Sequence, residues 1–281
     1  MRFTKMQGLA NDYIYVDCCR EKAPKAEELE ELTRRISDRH LGVGSDGLVL
    51  ILPGDEKTCD FEMRMFNSDG SESAMCGNAA RCVGKYVYER GLTEKNEIRL
   101  KTGSGIRNLQ LTLKDGKVDR VRVDMGQPAL EGAAIPTTIR EPQIVGWPVA
   151  CQGLDLRMTC VNMGNPHAVI FVDDPDTFDV HGIGAELERH PYFPKRTNVE
   201  FASVIDRGNL RMRVWERGAG ETMACGTGAC ATLVAAVLNG LSDRKATLHL
   251  NGGPLTVEWD ESTNKVFQEG PAEFVFDGVW G

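Results

Sequence analysis

The sequence has 281 residues, of which 41% are hydrophobic and 26% charged, and its formal net charge is −8. This length predicts about two domains, each with enough apolar residues for a core, and the acidic balance argues against a nucleic-acid surface. A locally positive pocket for a small anion is still compatible with that charge. The N-terminus lacks a signal-peptide pattern, and the longest apolar stretch, Ala229–Leu238, is about half as long as a membrane span. We therefore expect a soluble, cytoplasmic protein without a membrane partner.

The predicted elements of the first half begin with an apolar run from Asn11 to Asp17. Apolar residues at helical spacing in Ala26–His40 then predict an amphipathic helix. The segment Gly77–Arg90 predicts a second helix, because a glycine follows it at a suitable stop position. Residues Leu109–Val123 alternate apolar and polar side chains around Asp115-Gly116, which predicts a β-hairpin.

The second half repeats these kinds of element. An apolar run extends from Asn165 to Asp173, and Asn209–Glu216 is a short predicted strand. The segment Gly226–Asn239 is apolar on nearly all sides, which is typical of a buried helix. Residues Ala246–Trp259 predict a hairpin. Each half is therefore predicted to be an antiparallel sheet wrapped around one central helix, an α+β arrangement.

Two segments half a chain apart carry the same cysteine motif. SESAMCGNAARC (71–82) and GETMACGTGAC (220–230) each place a Glu four residues before a Cys-Gly pair and a small polar residue after it. Cys76 and Cys225 are 149 residues apart, and the apolar runs that open at Asn11 and Asn165 are 154 apart. An Arg-His pair also recurs after 150 residues. Three matches in one order at nearly one offset predict an internal duplication.

The nine cysteines predict reduced thiols rather than a disulfide framework, because their number is odd and the chain has no export signal. The close pairs lack the two-residue gap of a zinc knuckle, so we predict no metal site. Most buried cysteines are inert packing residues, and this is the alternative for Cys76 and Cys225 as well.

Both repeated cysteines are predicted to precede a buried helix, where free N–H groups and the helix dipole stabilise a thiolate and lower its pKa. The small residues that follow leave these amides open to an anion such as a carboxylate. Duplication would bring two such helix ends face to face. Two thiols opposed across one carbon form the minimal apparatus for racemisation or epimerisation without a cofactor.

Four motifs closely resemble those of the diaminopimelate epimerase family. They are MQGLANDY (6–13), NSDGSESAMCGNAARC (67–82), MGNPHAV (163–169) and ERGAGETMACGTGAC (216–230). The resemblance extends from Phe3 to the terminal segment 274–281 and implies two similar domains related by internal duplication, each a sheet closed around a central helix. In this fold the C-terminal strand returns to the first domain. The implied domains are 1–123 with 270–281, carrying Cys76, and 124–269, carrying Cys225.

The resemblance implies an epimerase that interconverts LL- and meso-2,6-diaminopimelate in lysine and peptidoglycan precursor biosynthesis, without a cofactor. Cys76 and Cys225 would be its two bases, one a thiolate and one a thiol at rest. Backbone amides would hold the reacting carboxylate, namely those of Gly77, Asn78, Gly226 and Thr227. Polar side chains would bind the remaining groups of the substrate, namely Asn11, Asn67, Asn165, Asn198, Glu216 and Arg217. Members of the family are commonly homodimers.

One Arg, one Glu and several amides suit a substrate with two carboxylates and two ammonium groups. The alternative for Glu216 and Arg217 is a strand that ends at a solvated turn. His167 and Glu216 are candidates for tuning the pKa of a cysteine, and the alternative for His167 is an ordinary hydrogen-bonded histidine. Some relatives carry a substrate-contacting Gln where this sequence has Gly47, so we assign no role to that position.

Two other functions share the cysteine pair. A proline racemase or hydroxyproline epimerase would use the same fold and the same two thiols on a smaller substrate. Such a substrate has no second ammonium group, so Glu216, Arg217 and the four asparagines favour diaminopimelate. The third hypothesis is a redox-sensing or ligand-binding protein whose cysteines form a disulfide. Against it, neither cysteine has the nearby partner of a CxxC motif.

Overall fold

The computed structural model describes residues 1–55 and 57–281. The chain divides into two compact units, of which unit 1 comprises Met1–Asp124 with Glu269–Gly281 and unit 2 comprises Met125–Gln268. Unit 1 is thus discontinuous in sequence, whereas unit 2 is one uninterrupted segment.

Unit 1 contains nine strands and two α-helices within its described residues. In chain order they are β1 (Arg2–Gly8), β2 (Asn11–Asp17), α1 (Leu29–Ser37), β3 (Gly47–Pro53), β4 (Phe61–Asn67), β5 (Glu72–Ser73), α2 (Gly77–Glu89), β6 (Glu97–Thr102), β7 (Gly105–Lys114), β8 (Lys117–Gly126) and β18 (Glu273–Val279). A 3-10 turn, Ala26–Glu28, leads into α1. The last two residues of β8 belong to unit 2.

Unit 2 repeats this sequence of elements. They are β9 (Trp147–Cys151), β10 (Leu154–Asn162), β11 (Pro166–Phe171), α3 (Val180–Glu188), β12 (Asn198–Asp206), β13 (Asn209–Glu216), β14 (Gly220–Thr222), α4 (Gly226–Leu238), β15 (Lys245–Leu250), β16 (Gly253–Trp259) and β17 (Val266–Gly270). A 3-10 turn, Gly132–Ala134, precedes β9, and the last two residues of β17 belong to unit 1.

The strand pairings follow the same order in both units, which confirms the predicted duplication. β2 and β3 pair in parallel on either side of α1, as do β11 and β12 on either side of α3. β4 and β6 are parallel on either side of α2, as are β13 and β15 on either side of α4. The sheets are therefore mixed rather than purely antiparallel. A helix between two strands returns the chain to the starting edge, so the two strands run in the same direction.

Both repeated helices are buried, as the sequence predicts. α4 packs against six strands of unit 2, from β10 to β16, and ten of its thirteen residues are buried. α2 packs against β1, β2 and β7 of unit 1. Gly91 and Gly240 lie just beyond the two helices at φ values of +68° and +71°, a left-handed backbone conformation that glycine adopts without strain.

The C-terminal strand completes the sheet of unit 1. β18 pairs antiparallel with β1, and the amino group of Met1 donates a hydrogen bond to the carbonyl of Trp280 at 2.8 Å. Arg81 of α2 is fully buried and donates from Nε to the carbonyl of Pro271 at 3.1 Å. In the described part of the chain, all four α-helices are too short or too polar to span a bilayer.

Candidate active site

Cys225 precedes the first turn of α4 and is almost fully buried. Its backbone is extended, and its Sγ atom accepts a hydrogen bond from the backbone N–H of Gly228 at 3.3 Å. The Thr227 hydroxyl lies 3.5 Å from the same sulfur. The sulfur therefore caps the helix itself, in the position that a Ser or Asp oxygen occupies in many helices.

Two carboxylates lie beside this thiol. Glu216 ends β13 and accepts a hydrogen bond from the Thr222 hydroxyl. Glu200, the third residue of β12, is fully buried beside Gly228 in the first turn of α4. A Cβ atom built on Gly228 would lie 2.6 Å from Glu200 Oε1 and 3.2 Å from Cys225 Sγ, so only glycine fits there.

The surroundings raise the pKa of Cys225 well above its ordinary value. Burial is the largest cause, followed by the carboxylates of Glu216 and Glu200. The N–H of Gly228 and the Thr227 hydroxyl act in the opposite direction but are weaker. The expectation that the helix N-terminus lowers the pKa of this thiol is therefore wrong, because removal of the thiol from water outweighs the helix end. Burial and the carboxylate of Glu200 also raise the pKa of Glu216.

His167 connects Glu200 with one of the predicted asparagines. The imidazole is fully buried on β11, with Nδ1 2.7 Å from Glu200 Oε1 and Nε2 3.0 Å from Asn165 Oδ1. Parallel pairing of β11 with β12 sets this contact, since Val169 lies opposite Glu200 and His167 is two residues earlier on the same face.

Asn198 positions the start of the turn that carries Arg217. The Asn198 side chain is buried, donates from Nδ2 to the Pro166 carbonyl at 2.9 Å and accepts from the backbone N–H of Arg217 at 2.9 Å. The Arg217 side chain is exposed and donates to the Lys195 carbonyl at 3.3 Å. Gly226, the first residue of α4, packs against Gln268: a Cβ atom on Gly226 would lie 2.7 Å from Gln268 Oε1.

Cys76 occupies the equivalent position in unit 1 but is less buried than Cys225. It precedes α2 with an extended backbone, and its Sγ donates to Asn11 Oδ1 at 3.4 Å. Asn78 is buried in the first turn of α2 and donates from Nδ2 to the same oxygen at 3.2 Å. One hydrogen-bonded group is thus formed by the side chains of Cys76, Asn11 and Asn78. Gly77, which lies between Cys76 and Asn78 in the sequence, is buried.

A network of charged side chains fixes the orientation of the Asn11 amide. Its Nδ2 donates to Asp46 Oδ2 at 2.7 Å, and Arg39 bridges Asp46 and Asp12 at 2.9 and 2.8 Å. Lys5 Nζ lies 2.8 Å from Asp12. Hydrogen bonds from Arg39 and Lys5 lower the pKa of Asp12 despite its burial, whereas burial and the neighbouring Asp12 raise the pKa of Asp46.

Asn67 and Gly47 pair with each other across β4 and β3. The Asn67 side chain donates to the Ser71 hydroxyl at 3.1 Å. A Cβ atom on Gly47 would lie 1.9 Å from the carbonyl oxygen of Phe66, so the backbone at this position leaves no room for a side chain.

The predicted residues fall into two groups. Unit 1 holds Cys76, Gly77, Asn78, Asn11 and Asn67, and unit 2 holds Cys225, Gly226, Thr227, Glu216, Arg217, Asn165, Asn198 and His167. Sequence reasoning missed Glu200 and Asp46. The sequence signal for Glu200 is a carboxylate within the mostly apolar segment NVEFASV (198–204). A carboxylate that is buried in such a strand requires a polar partner. Across residues 1–55 and 57–281, no cluster of three or more His, Cys, Asp or Glu side chains is arranged to hold a metal ion.

A model of the diaminopimelate epimerase family matches residues 3–131 and 159–275. The chain belongs to the diaminopimelate epimerase family. It is 58% identical to the diaminopimelate epimerase of Acetivibrio thermocellus, over 99% of this chain and 98% of that protein. The corresponding enzyme of Methanococcus maripaludis is 52% identical over 99% of both chains.

The fold of the diaminopimelate epimerase family extends to more distant structures. A hydroxyproline epimerase from Agrobacterium vitis, with bound trans-4-hydroxy-L-proline, has a TM-score of 0.71 at 17% identity and covers 99% of this chain and 91% of that one. Members of the diaminopimelate epimerase family are isomerases that act on amino acids, and this chain shares both the fold and the full-length sequence similarity.

Proposed function

We propose that this protein interconverts LL- and meso-2,6-diaminopimelate by transferring protons at Cα between two cysteines, without a cofactor. The observation that carries the proposal is the equivalent placement of Cys76 and Cys225, each directly before a buried helix of its own unit. Identity of 58% to a named diaminopimelate epimerase supports the choice of substrate.

The proton balance of the reaction requires one thiolate and one thiol. The thiolate removes the proton from one face of Cα, and the C–H electron pair stays on carbon as a carbanion that the adjacent carboxylate group delocalises. The opposite thiol then donates its proton to the other face, so the two sulfurs exchange protonation states. Burial and two carboxylates raise the pKa of Cys225 and favour its protonated form, so Cys76 would have to lose the proton that it donates to Asn11 Oδ1 before it acts as the thiolate.

The helix N-termini would bind the reacting carboxylate. The first-turn amides of Gly77 and Asn78 in α2, and of Gly226 and Thr227 in α4, would contribute, because first-turn N–H groups point out of the N-terminus of a helix. Such amides, together with the helix dipole, favour a carboxylate and the negative charge that develops next to it.

The distal end of the substrate would be bound by Glu216 and Arg217. Glu216 would accept from the distal ammonium, and the exposed guanidinium of Arg217 would bind the distal carboxylate through two parallel hydrogen bonds. The remaining polar contacts would come from four asparagine side chains, those of Asn11, Asn67, Asn165 and Asn198. His167 would support this group through its contact with Asn165.

A proline racemase or hydroxyproline epimerase activity is the second candidate, since the hydroxyproline epimerase of Agrobacterium vitis has a similar fold. The test is incubation in D₂O under reductant with LL-diaminopimelate, L-proline or trans-4-hydroxy-L-proline. We expect solvent deuterium at Cα of diaminopimelate and formation of the meso isomer. Deuterium that enters only the proline derivatives would replace our proposal with the second candidate.

We also propose that the protein acts in the cytoplasm as a homodimer. All nine cysteines are free thiols, which suits a reducing compartment. Light scattering coupled to size-exclusion chromatography would give the mass in solution, with about twice the 31.0 kDa of one chain expected. A mass of one chain at micromolar concentration would contradict the dimer.

A further inference from the structure

Glu200 enters the mechanism above only by raising the pKa of Cys225, yet it lies at the centre of the unit 2 site. Its side chain is fully buried, and its Oε1 contacts His167 Nδ1 at 2.7 Å. Within residues 1–55 and 57–281, the other carboxylate oxygen, Oε2, has no hydrogen-bond partner. A buried carboxylate with half of its hydrogen-bonding capacity unused is costly unless a neighbouring positive charge compensates for it.

The hydrogen bonds of His167 indicate where that charge lies. A carboxylate only accepts, so Nδ1 must donate its proton to Glu200. On the other side of the ring, Nε2 faces Asn165 Oδ1 at 3.0 Å, and an amide oxygen also only accepts. With these partners both ring nitrogens face acceptor oxygens, an arrangement that an imidazolium satisfies.

The groups that surround the His167–Glu200 pair favour this state. Glu216 on β13 and Cys160 on β10 both act electrostatically on the pair, and Cys225 lies on the α4 side of Glu200. Burial raises the pKa of Cys160 to about 12, so this thiol adds no competing charge near neutral pH. Every one of these neighbours is neutral or negative, so none of them repels an imidazolium.

Resting on the proposed function, we propose that Glu200 is a positioning residue that holds His167 as an imidazolium and thereby fixes the direction of the Asn165 amide. With Oδ1 bound to His167, Asn165 presents its Nδ2 group as a donor. In the described part of the chain Nδ2 donates no hydrogen bond, so it is available to a carboxylate oxygen of the substrate.

A neutral His167 would reverse this arrangement. Its Nε2 would then be an acceptor, and the Asn165 amide would have to rotate to donate Nδ2 to the ring. The amide would present its oxygen to the ligand, which suits an ammonium group and repels a carboxylate. Glu200 therefore acts on substrate affinity through two intervening side chains, without contacting the substrate.

The first test reads the ring directly and requires no activity. ¹⁵N NMR of histidine-labelled protein, assigned with a His167→Asn variant, should show both ring nitrogens of His167 protonated at pH 7.5. In Glu200→Gln, which keeps an acceptor but removes the charge, the ring should be neutral at the same pH. A neutral His167 in the unsubstituted protein at pH 7.5 would overturn the proposal, whatever the substrate proves to be.

The second test uses the pH dependence of KM for LL-diaminopimelate. In Glu200→Gln we expect KM to rise about tenfold at pH 8.5, the effect of one lost charge-assisted hydrogen bond, with kcat changed less. At pH 6, where a histidine without its partner can still be protonated, the increase should fall below about twofold. Glu200→Asp, which retains the charge, should restore much of the affinity.

A double substitution separates this role from a purely structural one. If Glu200 acts through His167, the pH-dependent effect of Glu200→Gln should disappear in a His167→Asn background. A KM increase of equal size at pH 6 and pH 8.5, or one that persists in that background, would show that Glu200 only supports packing. If diaminopimelate is not turned over at all, the proposed function fails while the NMR result still decides the role of Glu200.

Discussion

Asn11 and Asn165 occupy equivalent positions in the two units, but their amides point in opposite senses. In unit 1, Asn11 donates to Asp46 and turns its oxygen toward Cys76. In unit 2, Asn165 gives its oxygen to His167. One amide is anchored through its nitrogen and presents its oxygen, an acceptor, whereas the other is anchored through its oxygen and presents its nitrogen, a donor. The duplicated fold thus holds the same side chain in two chemical roles.

The difference arises from the buried residues on the strands that follow the two asparagines. Tyr13 and Val49 of unit 1 stand where unit 2 has His167 and Glu200, at matching positions of a parallel strand pair. Tyr13 and Val49 carry no charge that needs compensation near neutral pH, whereas His167 and Glu200 are buried in contact with each other. A duplicated scaffold therefore acquires two distinct half-sites by exchanging two buried side chains, while its strands, turns and helices stay the same.

The strongest test of the comparison is removal of each thiol in turn. We expect Cys76→Ala and Cys225→Ala each to lower kcat by at least about 10³-fold, because a two-base reaction needs a donor and an acceptor on opposite faces. Steady-state kinetics of epimerisation by the purified variants would measure the loss of kcat. Cys19→Ala, at a half-buried thiol outside both groups, is the control and should retain activity. Near-normal epimerisation by either active-site variant would rule out the two-thiol mechanism.

Arg217 tests whether substrate selectivity belongs to unit 2, because the equivalent position of unit 1 is Ser68. Loss of a desolvated charge pair costs about 2–5 kcal/mol, so Arg217→Met should lower kcat/KM for LL-diaminopimelate by tens-fold to thousands-fold. Arg217→Lys should recover only part of it, since an ammonium lacks the bidentate geometry.

The matched control is Arg207→Met. Arg207 lies in the turn between β12 and β13, at the opposite end of β13 from Arg217, and its exposed guanidinium pairs with Asp243. This control should leave kcat/KM within about twofold, the range of surface substitutions. A loss of kcat/KM below about threefold in Arg217→Met would support the alternative that Glu216 and Arg217 only end a strand at a solvated turn.

The pKa of Cys225 provides a smaller test within unit 2. Because the Glu216 carboxylate raises this pKa, Glu216→Gln should let the thiolate form at lower pH and speed alkylation at pH 8 by about tenfold. Iodoacetamide labelling of Cys225, followed by mass spectrometry across pH 6–10, measures the shift. Glu221→Gln is the control, since that carboxylate pairs with Arg213. An unchanged labelling rate in Glu216→Gln would show that the Glu216 carboxylate does not raise the pKa of Cys225.

The smallest expected effect compares two equivalent ion pairs, Arg64–Glu72 in unit 1 and Arg213–Glu221 in unit 2. The second is more buried, with both side chains 16% exposed against 36% and 49%. Glu221→Gln should therefore cost about 1 kcal/mol, or about 2–4 °C in Tm, and Glu72→Gln less than about 0.5 kcal/mol.

The pH dependence of that difference has a definite sign. The arginine partner lowers the folded-state pKa of each glutamate, so the stabilisation is present above the unfolded carboxyl value of 4.5 and is lost as the pH falls through the folded value. Thermal unfolding at pH 7.5 and below pH 4 would measure it. Equal losses of Tm at both pH values would show that charge is not the cause.

The sequence predicted the elements best where local pattern decides them. Both Cys-Gly helices, both hairpins and the strand Asn209–Glu216 are observed, because each has its own periodicity and its own turn residues. The parallel pairings were missed, since strand direction depends on the connection through a helix and not on alternation. The raised pKa of Cys225 was also missed, because it results from burial beside Glu200 and Glu216, which meet it only in the fold.

The return of β18 to β1 has a consequence for the order in which the chain folds during synthesis. Unit 2 is one continuous segment, so all its strands have been made once residue 270 has left the ribosome. Unit 1 began earlier, but the edge of its β1 stays open until residues 273–279 emerge. The N-terminal half is then the last to be completed, reversing the usual order of co-translational folding. Until then, one edge of β1 exposes backbone N–H and C=O groups of the kind that recruit other strands.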